Sequence, residues 1–165
     1  MRAEEIERKF LVRELPADLD RHPASSINQG YLAIGPDGSE VRLRWRGEQA
    51  SLTSKRGHGV ARDEAEIEIT QAQYETLWPL TQGRRIEKTR YKIAAGERLV
   101  IELDIYGGEL TGLVVAEIEF PSRSEADAFV APSWLGPEVS EDDGYKNQRL
   151  ATDGRPSGSV RPSAH

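Results

Sequence analysis

Six rows of charge, each with one residue between successive charged positions, carry the chemistry of this 165-residue chain. Near the start, Glu5, Glu7 and Lys9 alternate with Ile6 and Arg8. Like-signed triplets recur at the same spacing in Arg42, Arg44 and Arg46, in Glu64, Glu66 and Glu68, and in Lys88, Arg90 and Lys92. Shorter sets follow in Glu102 with Asp104 and Glu117 with Glu119. Side chains two residues apart on a β-strand share a face, so each row is one stripe of a surface. Arginine offers phosphate oxygens a planar fork of donors and lysine a compact charge, while carboxylates are the oxygen ligands of hard divalent cations. Rows of both signs point to a small polyanion gripped by cations, with its metal carried by the acids.

Strands must display those rows. The pattern predicts a first strand from Glu4 to Arg13, a connector helix over Leu15 to Leu19 ended near Pro23, and a weakly alternating strand from Ile27 to Ile34. Pro36-Asp37-Gly38-Ser39 is a turn signal leading into a strand over Val41 to Arg46, which makes the pair a hairpin. Strands over Ala50 to Lys55 and Ala61 to Ile69 come next, with Arg56-Gly57-His58-Gly59 as a mobile loop between them. Thr70-Gln71-Ala72-Gln73 has the spacing of a capping box, and Tyr74, Leu77 and Trp78 continue a helix towards Pro79. Strands over Arg85 to Ile93, Arg98 to Tyr106 and Leu113 to Phe120 are joined by hairpin-like Ala95-Gly96-Glu97 and Gly107-Gly108. A second capping box, Ser122-Arg123-Ser124-Glu125, opens a helix carrying Ala126, Phe129 and Val130 and stopped by Pro132. From Thr152 almost nothing is apolar, so the expected organisation is one domain over 1–151 and a disordered tail over 152–165.

A net charge of −6 argues against a nucleic-acid binder with a general basic surface. With no cysteine there is neither a disulfide framework nor a thiolate metal site. Charges begin at Arg2, unlike a secretory leader, and no apolar run approaches the roughly 18 residues of a membrane span. The expectation is a soluble cytoplasmic protein, monomer or homodimer, that binds neither nucleic acid nor membrane.

Eight short strands with hairpin connections suggest a mainly β (α+β) fold, a closed eight-stranded antiparallel barrel with a few flanking helices. An amphipathic strand ordinarily turns its charged face to water. Here whole strands carry one sign, although like charges on neighbouring strands repel, and a bound ligand with its metal could compensate. Charges inside and apolar residues outside, covered by the Thr70 and Ser122 helices, is the expected arrangement, although two helices are few for eight strands.

The ordered set of Glu5-Ile6-Glu7-Arg8-Lys9, Val41-Arg42-Leu43-Arg44, Lys55 before a glycine-bearing loop, Arg62-Asp63-Glu64-Ala65-Glu66, Lys88-Thr89-Arg90-Tyr91, Glu102-Leu103-Asp104, Ala116-Glu117-Ile118-Glu119 and Tyr145-Lys146-Asn147 resembles the CYTH domain, or triphosphate tunnel metalloenzyme family. The resemblance runs across about 150 residues in order and is most like the bacterial tripolyphosphatase branch. It implies a barrel whose charged lumen holds a triphosphate with Mg²⁺ or Mn²⁺. Carried over by position, Lys9, Arg42, Arg44, Lys55, Lys88 and Arg90 look like phosphate ligands, with Tyr31 and Lys146 as further substrate-side candidates. Glu5, Glu7, Glu117 and Glu119 look like metal carboxylates, and Glu64, Glu66 and Asp104 are additional candidates. Hydrolysis by in-line attack of water needs no covalent nucleophile. Its proton acceptor would be Glu64, Glu66 or Lys88.

Nucleoside or thiamine triphosphate hydrolysis, adenylate cyclisation of class IV and a non-catalytic polyphosphate-binding module are the alternative activities. His22 and His58 read as exposed loop residues, and Trp45, Trp78 and Trp134 as packing groups. No Walker-type loop and no Gly-x-Ser-x-Gly is present. By parity Arg8 faces away from the rows as a structural or surface residue, so Arg8→Ala should be nearly silent, whereas Glu119→Gln should abolish turnover.

Overall fold

The computed structural model describes residues 5–57 and 63–157. Among these residues nine strands form one antiparallel sheet: β1 (Ile6–Val12), β2 (Ala24–Ile34), β3 (Glu40–Arg46), β4 (Gln49–Arg56), β5 (Asp63–Ile69), β6 (Arg85–Ala95), β7 (Leu99–Tyr106), β8 (Val114–Phe120) and β9 (Leu135–Glu138). Their spatial order is β5-β4-β3-β2-β6-β7-β8-β1-β9. Three short helices accompany them, α1 (Gln71–Leu77), α2 (Arg123–Ala128) and α3 (Asn147–Asp153). The expected connector helix is a single 3₁₀ turn at Leu19–Arg21. His58 and Arg62 lie outside the described residues, and Gly57 is the last described residue of the expected mobile loop.

The local signals act as their chemistry requires. Thr70 caps α1 reciprocally, accepting from the Gln73 amide at 3.1 Å while the Gln73 side chain accepts from the Thr70 amide at 2.9 Å. Ser122 accepts from the Glu125 amide at 3.2 Å, but α2 ends at Ala128. Phe129 is extended instead of helical, and its ring packs on Phe120 at 5.4 Å. Gly30 of β2 permits the close approach of the segment after α1, since a Cβ there would lie 2.6 Å from Thr81.

Of the closed eight-stranded barrel, the antiparallel sheet is present with its strands in order. Among the described residues no ladder joins β5 to the far end of the sheet. At the far end β9 pairs with β1 at Phe10↔Glu138 and Val12↔Leu135, so β5 and β9 are the two edges of the sheet. The sequence of β9, Leu-Gly-Pro-Glu, carries no strand signal, and proline is tolerated because the strand lies at an edge.

Apolar side chains collect in three places. Leu43, Ala50 and Tyr74, with Trp45 and Trp78, pack under α1 on the outer face. Phe10, Val12, Leu103, Ile118, Phe120 and Leu135 form the core under α2 and β9. The third cluster has the parity of the charged rows: Leu11, Ile86, Tyr106 and Val115 meet Tyr145 and Leu150, so α3 and the turn before it plug one end of the concave face. Each such large side chain contributes roughly 1.5–3 kcal/mol when fully buried. The two helices do leave outer face uncovered, and Ile67 on β5 is 60% exposed. Where the tail was expected to begin, Thr152 and Asp153 are still in α3, and Arg155 donates to the Gly112 carbonyl at 3.0 Å.

Arg8 overturns the expectation of a silent position. Its Nε and Nη2 grip both oxygens of Glu138 at 2.8 and 2.9 Å, and Nη1 donates to the carbonyls of Ala126 at 2.8 Å and Phe129 at 3.3 Å. One guanidinium thus staples β1, β9 and α2. Arg8→Ala is expected to lower stability by ~1–3 kcal/mol through the unpaired acceptors it leaves. Urea unfolding checks this, and activity per folded molecule should be retained because no bond of Arg8 faces the rows.

Candidate functional site

The predicted parity brings the charged rows to the concave face. On β6 and β7 lies its most buried group: Lys88 Nζ donates to Asp104 at 2.7 Å, and Arg90 grips the same carboxylate through Nε at 2.7 Å and Nη2 at 2.8 Å. The side chains of Lys88 and Asp104 are both 0% exposed. Arg90 also pairs with Glu102 at 2.9 Å, and Lys88 sits over the Tyr106 ring at 5.4 Å. On β1, Lys9 donates to the Tyr145 carbonyl at 3.1 Å and lies 3.3 Å from Glu117 of β8. On β3, Arg42 contacts Glu40 at 3.3 Å, and Arg44 donates to Gln29 of β2 at 2.9 Å. Lys55 of β4 lies 3.4 Å from Glu64 of β5, and Thr53 donates to Glu66 at 2.8 Å.

These groups feel one another across the hollow. Burial lowers the Arg44 pKa to about 10, with Arg42 and then Arg90 adding repulsion. Arg44 is thus the guanidinium whose charge this face disfavours, since Arg42 contacts Glu40 and Arg90 is paired with Asp104 and Glu102. Arg42 Nε is buried without a hydrogen-bond partner. Burial alone would lower Arg90, but its bonds to Asp104 and Glu102 hold it above its ordinary range. Burial also works against the Asp104 anion, yet Lys88 and Arg90 overcome it and hold its pKa low. Lys88 is lowered by burial, with Asp104 opposing.

Of the sequence-predicted residues, Lys9, Arg42, Arg44, Lys55, Lys88, Arg90, Tyr31, Glu7, Glu64, Glu66, Glu117 and Glu119 are displayed on this face. Glu5 lies exposed just before β1. Lys146 is not brought in: its side chain is 57% exposed and pairs with Asp143 at 2.7 Å. Asp104 is present, but its oxygens are taken by Lys88 and Arg90, which makes it their anchor and leaves it poorly placed to receive a metal. Gln29, Glu40, Thr53 and Tyr106 were missed. Each lies two residues from a singled-out position or opposite one on the next strand, so the alternation that found the charges could have found them.

The carboxylates fit a divalent cation of the kind that keeps most of its ligands from water and substrate. Glu7 and Glu119 are direct cross-strand partners, and Lys9 faces Glu117. Burial raises the Glu7 pKa, and repulsion from Glu117 adds to it, with Lys9 and then Lys55 of β4 partly offsetting. Among the described residues no three carboxylates converge as a ready-made metal cage. One or two protein carboxylates completed by phosphate oxygens is the usual Mg²⁺ arrangement. A raised carboxylate pKa means that ionising Glu7 costs more in the fold than in the unfolded chain. Its penalty is absent below the unfolded carboxylate pKa and grows as pH rises through the folded one. Glu7→Gln is expected to raise the melting temperature of chelator-treated protein at neutral pH, and the difference should vanish in acid.

A curled antiparallel sheet with buried cations along its hollow and carboxylates flanking them defines a protein built to hold a small polyanion. No family model matches the chain. The inorganic triphosphatase of Nitrosomonas europaea is 47% identical over 147 residues, which span 89% of this chain and 96% of that protein. The inorganic triphosphatase of Acetivibrio thermocellus is 38% identical over 150 residues, 88% of this chain and 92% of that one. A solved inorganic triphosphatase superposes with a TM-score of 0.74 at 40% identity, covering 98% of both chains. A Hippeastrum protein described as a putative adenylyl cyclase with dominant triphosphatase activity shares the fold at 16% identity and a TM-score of 0.53, over 75% of this chain and 83% of that one. The chain belongs to the CYTH family, the triphosphate tunnel metalloenzymes.

Proposed function

We propose that this protein hydrolyses inorganic tripolyphosphate with Mg²⁺ or Mn²⁺ in the hollow of its sheet. The observation that carries the reading is the cluster of Arg42, Arg44, Lys88 and Arg90, whose mutual repulsion is relieved by a compact polyanion. The naming of the relatives as inorganic triphosphatases supports it. Arg42 and Arg44 hold phosphate oxygens from β3, Lys9 and Lys55 from either side, and Arg90, braced by Asp104, from β6. Glu7, Glu117 and Glu119, with Glu5, Glu64 and Glu66 flanking, hold the metal. When bound, the metal neutralises charge on the transferring phosphoryl group. Glu66 and Glu64 of the edge strand are candidate proton acceptors for the attacking water, and Lys88, a cation in its ion pair with Asp104, serves as one only after giving up that proton.

The closed tunnel belongs to the same reading. A metal and its polyanion held between the acids of β5 and those of β1 and β8 would draw the two ends of the sheet together. The remaining expectations are a single functional domain, action in the cytoplasm as a monomer or homodimer, and no nucleic-acid or membrane partner. Among the described residues no helix is long and apolar enough to cross a membrane.

Phosphate release from tripolyphosphate should exceed release from ATP in Mg²⁺ or Mn²⁺ and vanish on chelation. Equal turnover of both would move the reading to nucleotides. Binding without turnover would leave a polyphosphate-binding module, and cyclic AMP as product would make the protein a cyclase.

A further inference from the structure

We propose that Gln29, a neutral residue outside the charged rows, is the positioning residue of the hollow: its amide fixes both the fork of Arg44 and the direction of the Tyr31 hydroxyl proton. The inference rests on the triphosphate reading and adds to it the group that orients two of its ligands.

Gln29 is 0% exposed and lies between the two residues it holds. Its oxygen accepts from Arg44 Nε at 2.9 Å, and its nitrogen donates to Tyr31 Oη at 2.7 Å. Arginine has no acceptor, so the amide orientation is forced: oxygen must face Arg44, which leaves the NH₂ for Tyr31. The arrangement is built into the ladder, because Gln29 is the cross-strand partner of Arg44 and Tyr31 that of Arg42.

Two consequences follow from elementary bonding. Arg44 is repelled by Arg42 and Arg90, and a flexible side chain under that force would swing out of the hollow. The Gln29 carbonyl tethers it by Nε and leaves both terminal nitrogens for a ligand. Tyr31 accepts from Gln29, so its own proton points elsewhere. The guanidinium of Arg42 beside it cannot take that proton, and no acceptor for it is found among the described residues. A phosphate oxygen is the acceptor that fits. Burial, with Glu40 adding to it, pushes the phenol up to about 12, so Tyr31 keeps its proton at neutral pH and acts as donor.

Two substitutions in the full chain separate the two bonds. Gln29→Glu keeps an acceptor for Arg44 but takes the phenol proton for itself; Gln29→Met removes both bonds at similar volume. With Mg²⁺ and tripolyphosphate, Gln29→Glu should lower kcat by about 10- to 100-fold with little change in KM, and Gln29→Met should in addition raise KM about tenfold. Tyr31→Phe should cost a similar factor in the natural protein and nothing further on the Gln29→Glu background. The ligand-free readout is the Arg44 Nε–H resonance, identified by its loss in Arg44→Lys. It should exchange slowly in the natural protein and in Gln29→Glu, and rapidly in Gln29→Met. If that proton exchanges equally fast in all three, or if Tyr31→Phe costs the same factor in both backgrounds, Gln29 orients nothing and the inference fails. A protein that ignores tripolyphosphate yet shows the slow Arg44 signal would instead overturn the substrate reading while retaining the tether.

Discussion

Asp104→Asn is expected to be among the most damaging single changes in the chain. It removes the anion between Lys88 and Arg90 and leaves two buried cations without their common partner. Breaking a buried ion pair from one side costs ~3–5 kcal/mol. For a chain of this size that is a fall in melting temperature of about 6–20 °C. Turnover by the folded fraction should drop by ~10²–10³, the usual consequence of losing an oriented donor, because Arg90 and Lys88 both lose the group that aims them. The Asp104 pKa is depressed, so its stabilisation is complete above the ordinary carboxylate pKa and is lost only as pH falls through the folded value. The gap between natural protein and variant should therefore be full at pH 7 and shrink in acid. A metal ligand would behave otherwise: the variant would melt normally in chelator and regain activity at high Mg²⁺. Calorimetry in chelator, with a Mg²⁺ titration of activity, decides between anchor and ligand.

Glu119→Gln is the complementary case, a large catalytic loss without a structural one. Glu119 is exposed on the concave face opposite Glu7, and replacing one of two facing carboxylates relieves repulsion instead of creating it. The fold should be as stable as the natural protein or slightly more so. Lewis-acid assistance supplies several kcal/mol of transition-state stabilisation, and at 1.36 kcal/mol per decade its loss corresponds to ~10²–10³ in kcat. Steady-state rates across a Mg²⁺ and Mn²⁺ series check the expectation. Unchanged kcat at saturating metal would remove Glu119 from the metal set and leave Glu7 with Glu117 as its remaining core.

The inner and outer faces were legible in the sequence because a strand has a strict two-residue period. Once Glu5, Glu7 and Lys9 share a face, so do Arg42 with Arg44 and Lys88 with Arg90, and sorting by sign then chose which face is hollow. The N-caps Thr70 and Ser122 were legible for a similar reason, since a helix start is a local contest for a few amide hydrogens, although only Thr70 completes the reciprocal box. What the amino-acid order could not carry was anything set by a partner distant along the chain. The parity of Arg8 fits a structural or a surface residue, and only the return of Glu138 and the end of α2 to its side make it a staple. Leu135–Glu138 carries no strand signal and becomes a strand because β1 has an unpaired edge to offer. Asp104 looks like another acid of a metal set until Lys88 and Arg90 converge on it. Local periodicity determined which side chains face the hollow. Tertiary proximity alone decided which of them stay open to it and which are consumed in holding the others.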